Sequence, residues 1–133
     1  MRIFKKGIVA LLLIISIFCM LASSASAATM AAIGSTKGNG SIGYNKSTKV
    51  FTARTVGLTT AFTAYLFNGK LRYIDSAGHT IGVTLPDKTK ANGTAETTRS
   101  SVYGIRLPTT QGHRIVSGGN WSVTTSFDAE ILP

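Results

Sequence analysis

The stretch Ala61–Asp75 (AFTAYLFNGKLRYID) decides the fold class of this chain. Aromatic and aliphatic residues alternate with polar ones on either side of Asn68-Gly69, the period-2 pattern of a half-buried strand. Asn-Gly is the dipeptide that most readily takes the positive backbone angles of a two-residue type I′ turn. A turn there predicts a hairpin with Phe67 opposite Lys70, Leu66 opposite Leu71, Tyr65 opposite Arg72 and Ala64 opposite Tyr73. One face of that hairpin then carries Phe62, Ala64, Leu66, Leu71 and Tyr73, which suits a core. The other carries Thr63, Tyr65, Phe67, Lys70, Arg72 and Ile74. Turn chemistry and apolar alternation favour the same register.

Working outward, the same grammar recurs. Short runs of Val, Ile, Phe, Tyr and Thr, broken by Gly, Asn, Asp and Pro, predict strands at Thr48–Val56, Thr60–Phe67, Lys70–Asp75, Thr80–Leu85, Ser101–Leu107, Arg114–Ser117 and Trp121–Phe127. Within these, Ile81, Val83 and Leu85 share a side, as do Tyr103, Ile105 and Leu107, and Trp121, Val123 and Phe127. Only the N-terminus offers a sustained apolar run of helical character. The expected fold is therefore all-β, a small antiparallel sandwich or barrel of about seven short strands. Residues 87–98 hold no large apolar side chain and are expected to form a long solvated loop, with a second long turn at Pro108–Gly112.

The N-terminus has the three parts of an export signal. Arg2, Lys5 and Lys6 form a positive start, Ile8–Met20 an apolar run, and Ala25-Ser26-Ala27 a small-x-small cleavage site. A permanent membrane helix needs about 20 apolar residues, more than this run supplies. Lipidation at Cys19 is disfavoured because the bulky Phe18 precedes it. The expected organisation is a signal over 1–27, a flexible Gly/Ser/Ala-rich lead over 28–45, and one all-β domain over 46–133. The expected location is outside the cell, with no permanent transmembrane anchor.

Cys19 is the only cysteine, so the chain forms no intrachain disulfide. Without that support, stability rests on packing around 100 residues, enough for one domain. The lack of cysteine beyond residue 27, in an exported chain with a basic start, leans toward a bacterial source. In that setting the Asn-x-Ser/Thr triplets at Asn45, Asn92 and Asn120 carry no glycan. Beyond residue 27, eleven basic residues stand against five acidic ones, a net charge of about +6. Such a charge biases encounters toward anionic wall polymers, glycans, acidic lipids or nucleic acid.

Catalytic constellations are scarce. His79 and His113 each follow a glycine at an expected turn, where exposed, inert imidazoles are common. No Gly-x-Ser-x-Gly or His-Glu-x-x-His occurs. Asp128 and Glu130 are two residues apart near the C-terminus, a poor setting for a paired-carboxylate glycosidase. The Gly34–Gly43 segment lacks the Gly-Lys-Ser/Thr ending of a phosphate loop. No catalytic residue, metal site, nucleotide or other cofactor is expected. The feature that stands out is the outward hairpin face, where Tyr65, Phe67, Lys70 and Arg72 set rings beside cations, a combination that holds planar groups and anions. Tyr44, Arg54 and Arg106 are candidate extensions of it. The opposing reading seals Tyr65 and Phe67 between layers.

The leading functional expectation is a secreted, cationic, non-enzymatic protein that binds an anionic polymer, glycan or lipid surface, with antagonism toward other cells as one form of it. A membrane-active bacteriocin or pore-forming toxin comes second. A small secreted hydrolase using His79 or His113 comes third, and an extracellular structural component fourth.

Overall fold

The computed structural model describes residues 28–133; the expected signal falls outside the described residues. Among the described residues nine strands follow one another, with no helix. They are β1 (Ala28–Gly34), β2 (Gly38–Asn45), β3 (Val50–Gly57), β4 (Thr63–Ile74), β5 (Thr80–Thr84), β6 (Lys88–Ala91), β7 (Ala95–Arg99), β8 (Gly104–Val116) and β9 (Asn120–Ser126). They build two antiparallel sheets. One has the order β1-β2-β3-β7; the other has the order β5-β4-β8-β9, with β6 also paired to β4.

The sheets face each other across one core. Ile42 and Tyr44 of β2 and Phe51 and Ala53 of β3 meet Ala64, Leu66 and Leu71 of β4 and Ile105 and Ile115 of β8, all of them 0–1% exposed. Phe127 closes one end with its ring edge-on to Phe51, centroids 6.4 Å apart. Removing this apolar surface from water is the main stabilising term available to a chain without disulfides.

Four expectations change. The first is the hairpin at Asn68-Gly69. β4 runs through both residues as one 12-residue strand. It pairs with β8 on both sides of the dipeptide: Thr63–Phe67 with Gly112–Val116, and Lys70–Ile74 with Gly104–Thr110. Asn68 takes the positive φ (51°) that the dipeptide favours, but a type I′ turn needs it at both central residues, and Gly69 does not have it. The pair is a bulge, with the register shifting between Phe67 and Lys70. On the strand's other flank, β6 pairs with Thr63–Leu66 and β5 with Lys70–Ile74. The bulge is where β4 changes neighbours.

The second change is the glycine-rich segment 28–45, expected as a flexible lead, which forms β1 and β2. Two of its glycines mark close packing against the other sheet. A Cβ on Gly38 would lie 2.9 Å from Ile115 Cγ1, and one on Gly40 would strike the His113 ring. The third is the loop expected over 87–98, which holds β6 and most of β7. The short Ala95 and Thr97 fill inward positions there with 2% and 8% exposure, so absence of large apolar residues did not mean absence of a strand. The fourth is the turn expected at Pro108–Gly112. It lies inside the 13-residue β8, which joins the segments expected separately at 101–107 and 114–117.

A basic and aromatic face on the β4–β8 pair

The outward face of the second sheet follows from the register. Along β4 it presents Thr63, Tyr65, Phe67, Lys70 and Arg72. Opposite them on β8 stand Val116, Arg114, Gly112, Thr110 and Arg106 in turn. β9 contributes Ser122, Thr124 and Ser126 beyond β8, and β5 contributes Thr84 and Gly82 beyond β4. Tyr65 and Phe67 are half-buried, while Lys70, Arg72 and Arg114 are exposed. The four candidate residues therefore share one solvent-facing surface, and neither ring is sealed between the sheets.

Their arrangement differs from the hairpin expectation. Lys70 and Arg72 follow the rings in line along one strand instead of lying across from them. The cation across from Tyr65 is Arg114, whose guanidinium stands 4.5 Å from the Tyr65 ring centroid and 5.7 Å from that of Phe67. Both distances are within the range where a cation is attracted to a ring face. The sequence marks Arg114 only as the start of a strand, because its proximity to the rings depends on the β4–β8 register. Phe67 lies over Gly112, where a Cβ would come within 2.8 Å of the ring. Glycine lets the ring lie against the sheet. Beside it Phe67, Asn68, Lys70, Thr110, Gly112 and Thr124 line an open depression. A second depression, lined by residues including Lys70, Arg72, Thr84 and Pro108, adjoins it at Lys70.

Of the three candidate extensions, Arg106 joins the face directly opposite Arg72. Its Nη1 donates to Glu130 Oε1 at 3.1 Å, and Glu130 also accepts from the Leu107 N–H at 3.2 Å. That backbone hydrogen bond, followed by the side-chain bond and charge of Arg106, lowers the Glu130 pKa. Arg72 donates to the Leu107 carbonyl. Arg54 belongs to the other sheet, where it pairs with Glu96. Tyr44 is buried in the core and donates its hydroxyl to the Val102 carbonyl at 2.7 Å, while desolvation raises its pKa.

Beneath the face runs a buried polar row that the sequence concealed. Thr109, Gln111 and His113 alternate inward along β8, each 0% exposed. Two of them repair the ladder where it is irregular. Gln111 Nε2 donates to the Phe67 and Gly112 carbonyls, both at 3.0 Å. Thr109 Oγ1 accepts from the Arg72 N–H at 3.1 Å and donates to the Arg106 carbonyl at 2.8 Å. These bonds hold the backbone under Phe67 and Arg72, as buried polar groups require.

His113 is a correction: it is not an exposed imidazole at a turn but the centre of the core network. Its Nδ1 lies 2.9 Å from Thr55 Oγ1, and its Nε2 lies 2.7 Å from Thr125 Oγ1. Thr55 commits its hydroxyl proton to the Tyr65 carbonyl at 2.9 Å, so Thr55 accepts from His113 and the ring carries its proton on Nδ1. Nε2 then accepts from the Thr125 hydroxyl. Desolvation lowers the pKa of His113 to about 4, against a smaller raising effect from a hydrogen bond to the Arg54 backbone. The ring is neutral and enclosed, which removes it as a solvent-accessible base. His79 is exposed, with Nδ1 3.8 Å from Asp75 Oδ2 in a surface turn. Among the described residues no group of three or more His, Cys, Asp or Glu comes together.

The chain matches no protein-family profile, and no similar chain was found among curated proteins or solved structures.

Proposed function

We propose that this is a secreted, cationic, non-enzymatic protein that binds anionic polymers or envelope surfaces through the outward face of β4 and β8. The observation that carries this reading is the alignment on one surface of Tyr65 and Phe67 with Arg114, Lys70 and Arg72. Arg114 is laid against two rings, so part of the entropy of fixing a long cationic side chain is already spent before an anion arrives. Lys70 and Arg72 continue the positive strip along the same strand. Thr110, Thr124, Ser122 and Ser126 surround it with hydroxyls that exchange hydrogen bonds with phosphates, carboxylates or sugar hydroxyls. The excess of basic residues steers anionic partners toward the molecule. Export through a cleaved signal over 1–27 places this surface where wall polymers, acidic glycans and membrane headgroups occur.

The test is a titration of purified protein with inorganic polyphosphate, polygalacturonate and vesicles containing phosphatidylglycerol, at low and at high salt. Binding is expected to weaken with ionic strength. Each basic residue at an anionic surface contributes about 1 kcal/mol, so the triple variant K70A/R72A/R114A should lose affinity on the order of a hundredfold while its circular dichroism is unchanged. Absence of binding to all three probes at low salt, or equal binding by the folded variant, would overturn the reading. Release of dye from the vesicles at low protein-to-lipid ratio would instead indicate membrane disruption.

A further inference from the structure

Two depressions in the basic face share Lys70. The first lies over Gly112, with Phe67, Asn68, Thr110 and Thr124 around it. The second lies over Gly82, with Arg72, Thr84 and Pro108 around it. Gly82 is exposed on the edge strand β5, and a Cβ there would meet only Arg72 Cγ, at 3.9 Å. That space is open surface, not a seat required by packing. Lys70 is exposed between the two, and its ammonium has no hydrogen bond or ion pair among the described residues. The other cations of the strip are engaged: Arg114 with the rings, Arg72 with the Leu107 carbonyl and Arg106 with Glu130.

The linings select among anionic partners. Neither includes an acidic residue. Beside Lys70, the first depression offers an aromatic ring, two hydroxyls and an amide. A chain of bare phosphates engages the cations and leaves those groups unused, and an acyl chain has nothing for the hydroxyls or the amide. A sugar unit uses them together. Its C–H face leaves water against Phe67, and its hydroxyls exchange hydrogen bonds with Asn68, Thr110 and Thr124. Thr124 and Thr84 lie on the outer strands β9 and β5, three strand spacings apart, about 14 Å. That span exceeds a single sugar and fits a short run of linked units.

We infer that the two depressions are adjacent subsites for a linear acidic glycan, each holding one sugar unit, with a carboxylate of the chain at Lys70 between them. The inference rests on the β4–β8 face being the binding surface, as proposed above. The unit over Gly112 packs on Phe67, and the unit over Gly82 lies beside Thr84. Arg114, next to Phe67, and Arg72, next to Gly82, meet carboxylates farther along the chain. The free ammonium supplies the attraction, and the ring, hydroxyls and amide supply the preference for a sugar over another anion.

Calorimetric titration at low salt with galacturonic acid, its dimer and its trimer, and with inorganic polyphosphate of matched charge, tests the assignment. Affinity should climb from the single sugar to the trimer and exceed that for polyphosphate of equal charge. The variant T110V/T124V removes two hydroxyls while keeping shape and charge. It should bind the trimer about tenfold more weakly, the loss of two hydrogen bonds of modest net worth, and bind polyphosphate as before. Gly82→Val fills the second depression at an exposed position and should remove most of the gain from lengthening the oligomer. Both variants should keep the circular dichroism of the wild type. Polyphosphate bound as tightly as the trimer, or folded variants that bind the trimer like the wild type, would overturn the inference. Binding to polyphosphate or to phosphatidylglycerol vesicles alone would also overturn it, while leaving the proposed function standing. Absence of binding to every probe would remove both.

Discussion

Acid should destabilise this protein in a window set by one residue. His113 is neutral in the folded state with its pKa lowered to about 4, mainly because charging it would bury an ion between two sheets. In the unfolded chain the ring recovers the ordinary value of 6.5. Between these values the unfolded state binds a proton that the folded state refuses, so stability rises with pH there. The contribution is complete above about pH 6.5, falls as pH drops, and is exhausted once the folded state is itself protonated near pH 4. At about 1.4 kcal/mol per pH unit, the interval is worth about 3 kcal/mol. Urea unfolding at closely spaced pH values should show this loss, and the H113Q variant should lack most of it. Because that variant also disturbs the Thr55 and Thr125 contacts, the ring titration of wild type by NMR gives a second measure. Stability that is flat between pH 6.5 and 4, or a ring that titrates near 6.5 in the folded protein, would refute the reasoning.

Other substitutions probe separate parts of the design. Gly40→Ala drives a methyl group into the His113 ring, whose nitrogens are tied to threonines on two strands. Overpacking of this kind costs about 1–3 kcal/mol, readable as a lower urea midpoint. Tyr44→Phe removes a buried hydroxyl and leaves the Val102 carbonyl without that donor; a loss of about 1–2 kcal/mol is expected by the same measurement. Leu71→Ala opens a cavity in the core beneath the strip, where Leu71 is 0% exposed, and should cost about 2–5 kcal/mol.

Much of the fold class could be read from alternation, because burial in a two-sheet protein imposes period 2 on every strand. The division of β4 into faces was also readable despite the wrong topology. A two-residue turn and a bulge with one extra residue both put Phe67 and Lys70 on the same side, so either geometry aligns Tyr65, Phe67, Lys70 and Arg72. What distinguishes them is long-range. β8 pairs with β4 before and after Asn68-Gly69, and no local propensity encodes a partner some 40 residues away. Glycine and threonine caused the other errors. In β2, glycines that looked like slack permit the sheets to approach; in β8, Thr109, Gln111 and His113 looked like a turn because their polarity hides their inward alternation.

That buried row connects the core to the face. A bulged strand lacks part of its ladder, and the carbonyls it frees must find donors or pay the cost of desolvation. Here Gln111 bonds the Phe67 carbonyl and Thr55 bonds the Tyr65 carbonyl, so the backbone of both rings is held by side chains that never reach solvent. The ordinary choice for these outward positions is visible beside them, in Thr63, Thr84, Thr110 and Thr124. Two adjacent rings with an arginine laid over them are not needed to keep such a sheet in solution, and half-exposed aromatic surface forgoes part of the stabilisation that full burial would give. Stability is supplied by Ile42, Phe51, Leu66, Leu71 and Ile115 on the opposite side. The rings and cations can therefore be exchanged with little effect on the core. A loss of affinity without a loss of fold in K70A/R72A/R114A follows from that separation.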